Sequence, residues 1–289
     1  MSFLSIHNLS IRLKNGPPLL RRVSLDVAAG EVRGLVGESG AGKSMIGKAV
    51  LGILPPSVQI TEGEILLDGI DLLRLPPKES RRRIGARCAL IPQDPLTALN
   101  PSHRIGPQIT DRLVDILGWT RGAADARALD LLAEVQIADP ARVLRSYPHE
   151  LSGGMRQRIL IASAFAAEPK LIVADEPTTA LDVTVQKQIL RLIAGMQARH
   201  GTAILFVTHD LGVVSKVCQK LTVLYSGLVV EDSTIADFFA APCHSYSAAL
   251  LAATPKYTDP DAGLHPVPDT VIDAVRAEVA AFDRMAVHG

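Results

Sequence analysis

Gly37-Glu-Ser-Gly-Ala-Gly-Lys43-Ser44 is the stretch on which the reading of this chain turns. It carries glycine, lysine and a hydroxyl at every fixed position of the pattern G-x-x-x-x-G-K-[ST]. Glycines let the backbone wrap tightly enough for successive N–H groups to converge on phosphate oxygens. A helix starting at Lys43 aims the positive end of its dipole at the same point. From there Lys43 can reach β- and γ-phosphates, and the Ser44 hydroxyl can ligate Mg²⁺. Gly37, Glu38, Ser39, Gly40, Ala41, Gly42, Lys43 and Ser44 are therefore the candidate nucleotide-binding loop. Its flanks agree. Glu31–Val36 reads as a strand, and apolar residues at helical spacing run from Lys43 to Leu54, where Pro55–Pro56 should end the helix.

Working outward, residues 3–13 alternate apolar and polar as a half-buried strand does, and Gly63–Gly69 reads as a short strand of an antiparallel ribbon. Residues 107–149 have helical periodicity, interrupted near Gly118–Gly122 and Asp139–Pro140, which marks a small helical insertion. Gly153–Glu168 is expected to be a helix stopped by Pro169. Leu171–Ala174 is an unbroken apolar run suited to a sheet buried on both faces, and Ala203–Thr208 reads as another buried strand. Val183–His200 reads as a helix with Gly201 as its stop, and a last helix falls near Thr270–Met285. Strands alternating with helices predict an α/β fold with a parallel sheet.

The 289 residues include 30 Lys+Arg and 30 Asp+Glu, a formal net charge of zero. That balance argues against a polybasic nucleic-acid or membrane tether as the main activity. Cys88, Cys218 and Cys243 are odd in number and far apart, which fits a reducing compartment and gives structural zinc or an iron–sulfur cluster little support. The mean hydropathy of +0.22 is high, yet the apolar stretches Ile159–Ala167 and Leu171–Ala174 are separated by Glu168, Pro169 and Lys170. Both fall short of the roughly 20 apolar residues of a membrane span. Met1–Ser10 lacks the basic start and apolar run of a secretion signal, so a cytosolic chain is expected.

Further polar residues sit where core strands end. Asp175 and Glu176 follow Leu171–Ala174, where open α/β sheets hold ligands. Asp175 suits a metal, and Glu176 suits the orientation and deprotonation of an attacking water. Gln93 follows Ala89–Pro92, and His209 follows Ala203–Thr208. Taken singly, Gln93 reads as a loop amide and His209 as an ordinary core or surface histidine. Leu151-Ser-Gly-Gly-Met-Arg-Gln157 opens a helix with a serine cap followed by two glycines. An N-cap accounts for the serine but not for the second glycine. Bare N–H groups there make a second anion site.

In this order the motifs resemble those of the ATP-binding subunit of an ABC transporter. The set comprises the phosphate loop, a glutamine loop at Gln93, the signature Leu151–Gln157, the Asp175–Glu176 strand end, the loop Thr179-Ala-Leu-Asp182 and a switch histidine at His209. Within the family the chain resembles subunits that drive dipeptide and oligopeptide import. The matching stretches are Ile91–Pro101, Met155-Arg156, His244–Leu251 and Ala253-Thr-Pro255.

The resemblance implies a P-loop NTPase core with an N-terminal antiparallel β subdomain and a helical insertion. It implies a cassette over 1–240, a helical subdomain at about 95–160 and a C-terminal extension over 241–289. It implies ATP and Mg²⁺, with Ser44, Gln93 and Asp175 around the metal, Glu176 as catalytic carboxylate, His209 as γ-phosphate sensor and Gln93 at the attacking water. Ser152, Gly153 and Gly154 would bind the γ-phosphate of ATP held by an opposing subunit, and Asp182 would communicate across that dimer. The implied partners are two integral membrane permease subunits, a second and non-identical ATP-binding subunit and, indirectly, an extracytoplasmic solute-binding protein, but no nucleic acid. The implied location is peripheral, on the cytoplasmic face of the cell membrane.

Three departures stand out. Leu13 occupies the stretch where the family usually places an aromatic ring against adenine, Thr179 stands where serine is common, and no cysteine follows Cys243. Import of nickel or another small solute is the alternative within the subfamily. A soluble ABC-type switch in repair or translation is disfavoured by the single cassette and the lack of a heptad run. A small-molecule kinase would leave the signature without a role.

Overall fold

The computed structural model describes residues 2–179, 181–254 and 266–288. Ala180 and Pro255, which fall in motifs noted above, lie outside the described residues. The chain opens with β1 (Ser2–Leu13), β2 (Pro18–Ala28), β3 (Val32–Val36), α1 (Lys43–Val50), β4 (Val58–Leu67) and β5 (Ile70–Asp71). Next come α2 (Pro77–Arg87), β6 (Cys88–Ile91), α3 (Pro95–Ala98), α4 (Ile105–Asp111), α5 (Arg121–Glu134), α6 (Pro140–Arg145) and α7 (Gly153–Ala166). They are followed by β7 (Leu171–Asp175), α8 (Val183–His200), β8 (Ala203–Val207), α9 (Leu211–Val217), β9 (Lys220–Tyr225) and β10 (Leu228–Thr234). Three helices close the order: α10 (Ile235–Ala240), α11 (Ser245–Ala252) and α12 (Asp269–His288).

Two sheets result. A four-stranded antiparallel sheet runs β2-β1-β4-β5. A six-stranded sheet runs β10-β9-β3-β8-β7-β6, parallel except for β10 at its edge. The α/β class with an N-terminal antiparallel unit is thus as the sequence predicts, and α4–α7 supply the helical insertion.

Alternate residues of the parallel strands point into two cores, as strand geometry requires. Leu171, Leu205 and Val207 join α1 and the antiparallel sheet on one side. Ile172, Ala174, Ile204 and Phe206 pack with α5, α7 and α8 on the other. Burial on both faces explains why these strands read as continuous apolar runs. Among the described residues, no helix is long and apolar enough to cross a membrane.

Three boundaries depart from the sequence reading. The helix after the phosphate loop ends at Val50 rather than Leu54, because Gly52 adopts a left-handed φ of 65° before the prolines are reached. The ribbon strand begins at Val58 and not at Gly63. Gly63 sits at a bulge in its middle, with φ 106°, where an added Cβ would lie 2.6 Å from the Leu9 Cα. The helix expected to end at Glu168 ends at Ala166, and Glu168 itself has a positive φ of 48°.

Candidate functional site

The carboxyl ends of β3, β6, β7 and β8 lie side by side, and every candidate at a strand end projects from one of them. β3 runs into Gly37–Gly42. Gly37 has φ 149°, and a Cβ there would collide with the Leu224 carbonyl of β9, so the loop must be glycine at that point. Gly42, with φ 99°, caps α1. Gly40 has open space beside it, and the loop's exposed side is Glu38–Gly40. The turn after β9 braces the loop from behind, with Gly227 N–H donating to Ala41 O at 2.9 Å.

Lys43 is buried, and its ammonium donates to the carbonyls of Gly37 and Glu38, both at 2.8 Å. Burial lowers its pKa, against the opposing pull of Glu176, Asp175 and Glu38. The lysine is thus a desolvated cation surrounded by three carboxylates. Next to it the Ser44 hydroxyl donates to Asp175 Oδ1 at 2.8 Å. Strand β7 and helix α1 thereby bring together two oxygens 131 residues apart in the chain. This all-oxygen pair has the hard-donor chemistry that Mg²⁺ takes.

Glu176 is the hub of the site. It has φ 47° and its N–H is held by Val207 O at 2.9 Å. A non-glycine residue in this region is strained and persists where the surroundings over-determine it. The Thr179 hydroxyl donates to Glu176 Oε2 at 2.8 Å, Gln93 Nε2 donates to the same oxygen at 3.3 Å, and His209 Nδ1 lies 3.4 Å from Oε1. The imidazole is 57% exposed and the carboxylate 18%, so the histidine faces the open side. Gln93, Glu176 and His209 are thus brought together.

The structure keeps Ser152, Gly153 and Gly154 separate from that cluster. Ser152 caps α7, its Oγ accepting from Met155 N–H at 3.3 Å. A Cβ built on Gly153 or Gly154 meets nothing within 4 Å, so this helix start faces open space. Gln157, one turn further along and buried, donates to Pro177 O at 2.7 Å, tying the signature helix to the segment after Glu176. Asp182 caps α8, accepting from the N–H groups of Thr184 and Val185 at 3.0 and 2.9 Å. Neither the Thr179–Glu176 bond nor the Gln157–Pro177 bond is visible in the sequence. For the cap at Asp182, an acidic residue before an apolar helix was a usable signal.

A model of the family described as ABC transporter matches residues 20–179. The chain belongs to the ABC transporter family. Its relatives include the oligopeptide transport ATP-binding protein OppD of Bacillus subtilis, 46% identical over 82% of this chain and 66% of that protein. Another is the dipeptide transport ATP-binding protein DppD of Escherichia coli, 42% identical over 94% of this chain and 84% of that protein. Among solved structures, the dimeric ATP-binding cassette MJ0796 in a post-hydrolysis state with ADP and Pi aligns with a TM-score of 0.70 at 26% identity, over 80% of this chain and 98% of that one. CbiO1 of Clostridium perfringens aligns with a TM-score of 0.73 at 25% identity, over 83% and 91%. This ABC protein is an ATPase: it binds ATP and hydrolyses it to ADP and phosphate.

Leu13 ends β1, half-buried. Nearby, α12 leans over the antiparallel sheet, bounding a cavity of about 720 Å³ with Arg12, Pro18, Leu20, Phe282 and Met285 in its walls. Arg21 holds α12 there through two bonds to Asp283, at 2.7 and 2.9 Å.

Proposed function

We propose that this ATPase drives uptake of di- and oligopeptides through separate membrane permease subunits, acting at the cytoplasmic face of the membrane as one of two ATP-binding subunits. Identities of 42–46% to proteins named for dipeptide and oligopeptide transport support the solute class. The observation that carries the catalytic reading is the convergence of Gln93, Thr179 and His209 on the Glu176 carboxylate beside the Lys43 loop.

In this reading Lys43 leaves the Gly37 and Glu38 carbonyls for the β- and γ-phosphates, and the loop N–H groups take the remaining phosphate oxygens. Ser44 and Asp175 would hold Mg²⁺, which would supply neutralisation of the phosphate charge. Glu176 accepts a proton from the attacking water, Gln93 and Thr179 fix the orientation of its carboxylate, and His209 senses the γ-phosphate from the open side. The start of α7 grips the γ-phosphate on an opposing subunit, with Asp182 communicating across that contact. ATP then bridges two chains, and its hydrolysis removes the bridge. We further assign residues 1–240 to the cassette, about 95–160 to its helical part and 241–289 to an extension.

Replacing Glu176 by Gln keeps the side chain's size and removes the base. ATP binding is expected to persist while turnover falls by about 10²- to 10³-fold, measured by phosphate release from the purified complex. Turnover at the native rate would overturn the assignment. Peptide uptake in vesicles carrying the assembled transporter tests the solute class, and ATP-dependent uptake of nickel but not of peptide would replace it.

A further inference from the structure

Tyr246, in the first turn of α11, is fully buried, and its hydroxyl has no partner at full hydrogen-bonding geometry. A buried polar group left so is costly and calls for an explanation. Its ring packs edge-on to Tyr225 at 4.9 Å between centroids, directly behind the phosphate loop, since Leu224 O abuts Gly37. The polar groups that the hydroxyl faces are the N–H and the carboxylate of Glu38. Burial, and next the Glu38 charge, push its pKa above the ordinary tyrosine range, so it remains a neutral donor.

The segment carrying Tyr246 is anchored rather than adrift. The Glu231 carboxylate of β10 accepts from the N–H groups of Cys243 and His244, both at 3.0 Å. His244 Nδ1 accepts from Tyr246 N–H at 3.1 Å, while its Nε2 meets Glu278 of α12 at 3.0 Å. The hydroxyl is therefore presented to the phosphate loop from a fixed platform. Glu38, for its part, is a negative charge inside a loop built to receive polyphosphate, and at present Lys43 holds its carbonyl.

We propose that Tyr246 is a positioning residue of the nucleotide site. When ATP draws Lys43 off the loop carbonyls, the Tyr246 hydroxyl closes on Glu38 and holds that carboxylate away from the triphosphate. The residue acts through the loop and touches neither ATP nor water. The inference rests on the ATP reading of the Lys43 loop and extends it to α11, a helix outside the stretch matched to the family.

The test is Tyr246→Phe in the full chain, which keeps the ring packing and deletes the hydroxyl. Titration with a fluorescent ATP analogue should show affinity weakened about fivefold to tenfold, the scale of a lost hydrogen bond to a charged group. KM for ATP should rise more than kcat falls, and the melting temperature without nucleotide should stay close to native. A Glu38→Ala change made on top of Tyr246→Phe should then recover affinity, because the unrestrained carboxylate is gone. Native affinity in Tyr246→Phe, or a further loss on adding Glu38→Ala, overturns the proposal. If the variant melts much lower without nucleotide and its ATP affinity is native, the residue is structural only and the proposal fails. Lys43→Ala run alongside separates the two levels, since unchanged ATP binding there sinks the nucleotide reading of the loop itself.

Discussion

The two glycine-bearing helix starts, the loop before α1 and the cap of α7, are opposites in finish. At the first, Gly37 and Gly42 are hemmed in by β9 and β2, and the lysine is already bonded to carbonyls of its own loop. At the second, two adjacent glycines have nothing near them, and no cation of the loop kind follows Ser152 in sequence. A glycine can be required because protein crowds it or because something outside the chain must approach. The first site is walled by its own polypeptide, whereas the second is left open, as the proposed approach of a phosphate from an opposing subunit requires.

Substitution at the two glycine sites should break this symmetry most sharply. Gly37→Ala drives a methyl group into the Leu224 carbonyl at a φ that alanine avoids, and should cost several kcal/mol of stability, about 3 kcal/mol, with loss of ATP binding. Gly153→Ala meets no protein atoms and should leave the melting temperature within a few degrees of native. Its loss should appear only in ATP-dependent dimerisation in the Glu176→Gln background. Equal destabilisation by both changes, followed in thermal melts, would erase the distinction.

A smaller effect is expected at Ser152. Losing the bond to Met155 N–H should cost about 1 kcal/mol as an ordinary N-cap does, with ATP affinity of the isolated subunit unchanged and dimer formation reduced. Equilibrium denaturation beside light scattering reads the two parts separately.

The smallest effect concerns pH and the platform of α11. Burial pushes the Glu231 carboxyl up, but the hydrogen bonds it accepts, those from the N–H groups of Cys243 and His244 among them, hold it below its ordinary value of 4.5. A carboxyl lowered in the folded state stabilises that state above its unfolded value and loses this as pH falls through the folded one. Melting temperature should therefore drop as the medium is acidified below about 4.5, and Glu231→Gln should flatten that part of the curve. A pH profile unchanged by the substitution would show that the clamp on residues 243–247 owes nothing to ionisation.

How much of this was legible in sequence depends on how far the interacting groups lie apart. The phosphate loop was readable because its spacing is local, and so was α8, whose regular apolar pattern ends at a left-handed Gly201. The meaning of Gly63 was not. A glycine next to an apolar run looks like a boundary, and only pairing with β1 makes it a bulge. Gln93 and Glu176 are separated by 83 residues, and a shared spot for them follows only from β6 and β7 being neighbours.

The order of residues alone thus determined that this chain binds a nucleotide, that its core is a parallel α/β sheet and that its motifs are those of an ABC ATPase, since turn geometry, helix caps and apolar periodicity are encoded within a few positions. Tertiary structure alone decided that Glu176 gathers Gln93, Thr179 and His209, that Ser44 meets Asp175 and that Tyr246 stands behind the loop. Those contacts depend on which strands lie side by side and on how α11 docks, and both are settled by the burial of apolar surface over the whole molecule rather than by any local run of residues.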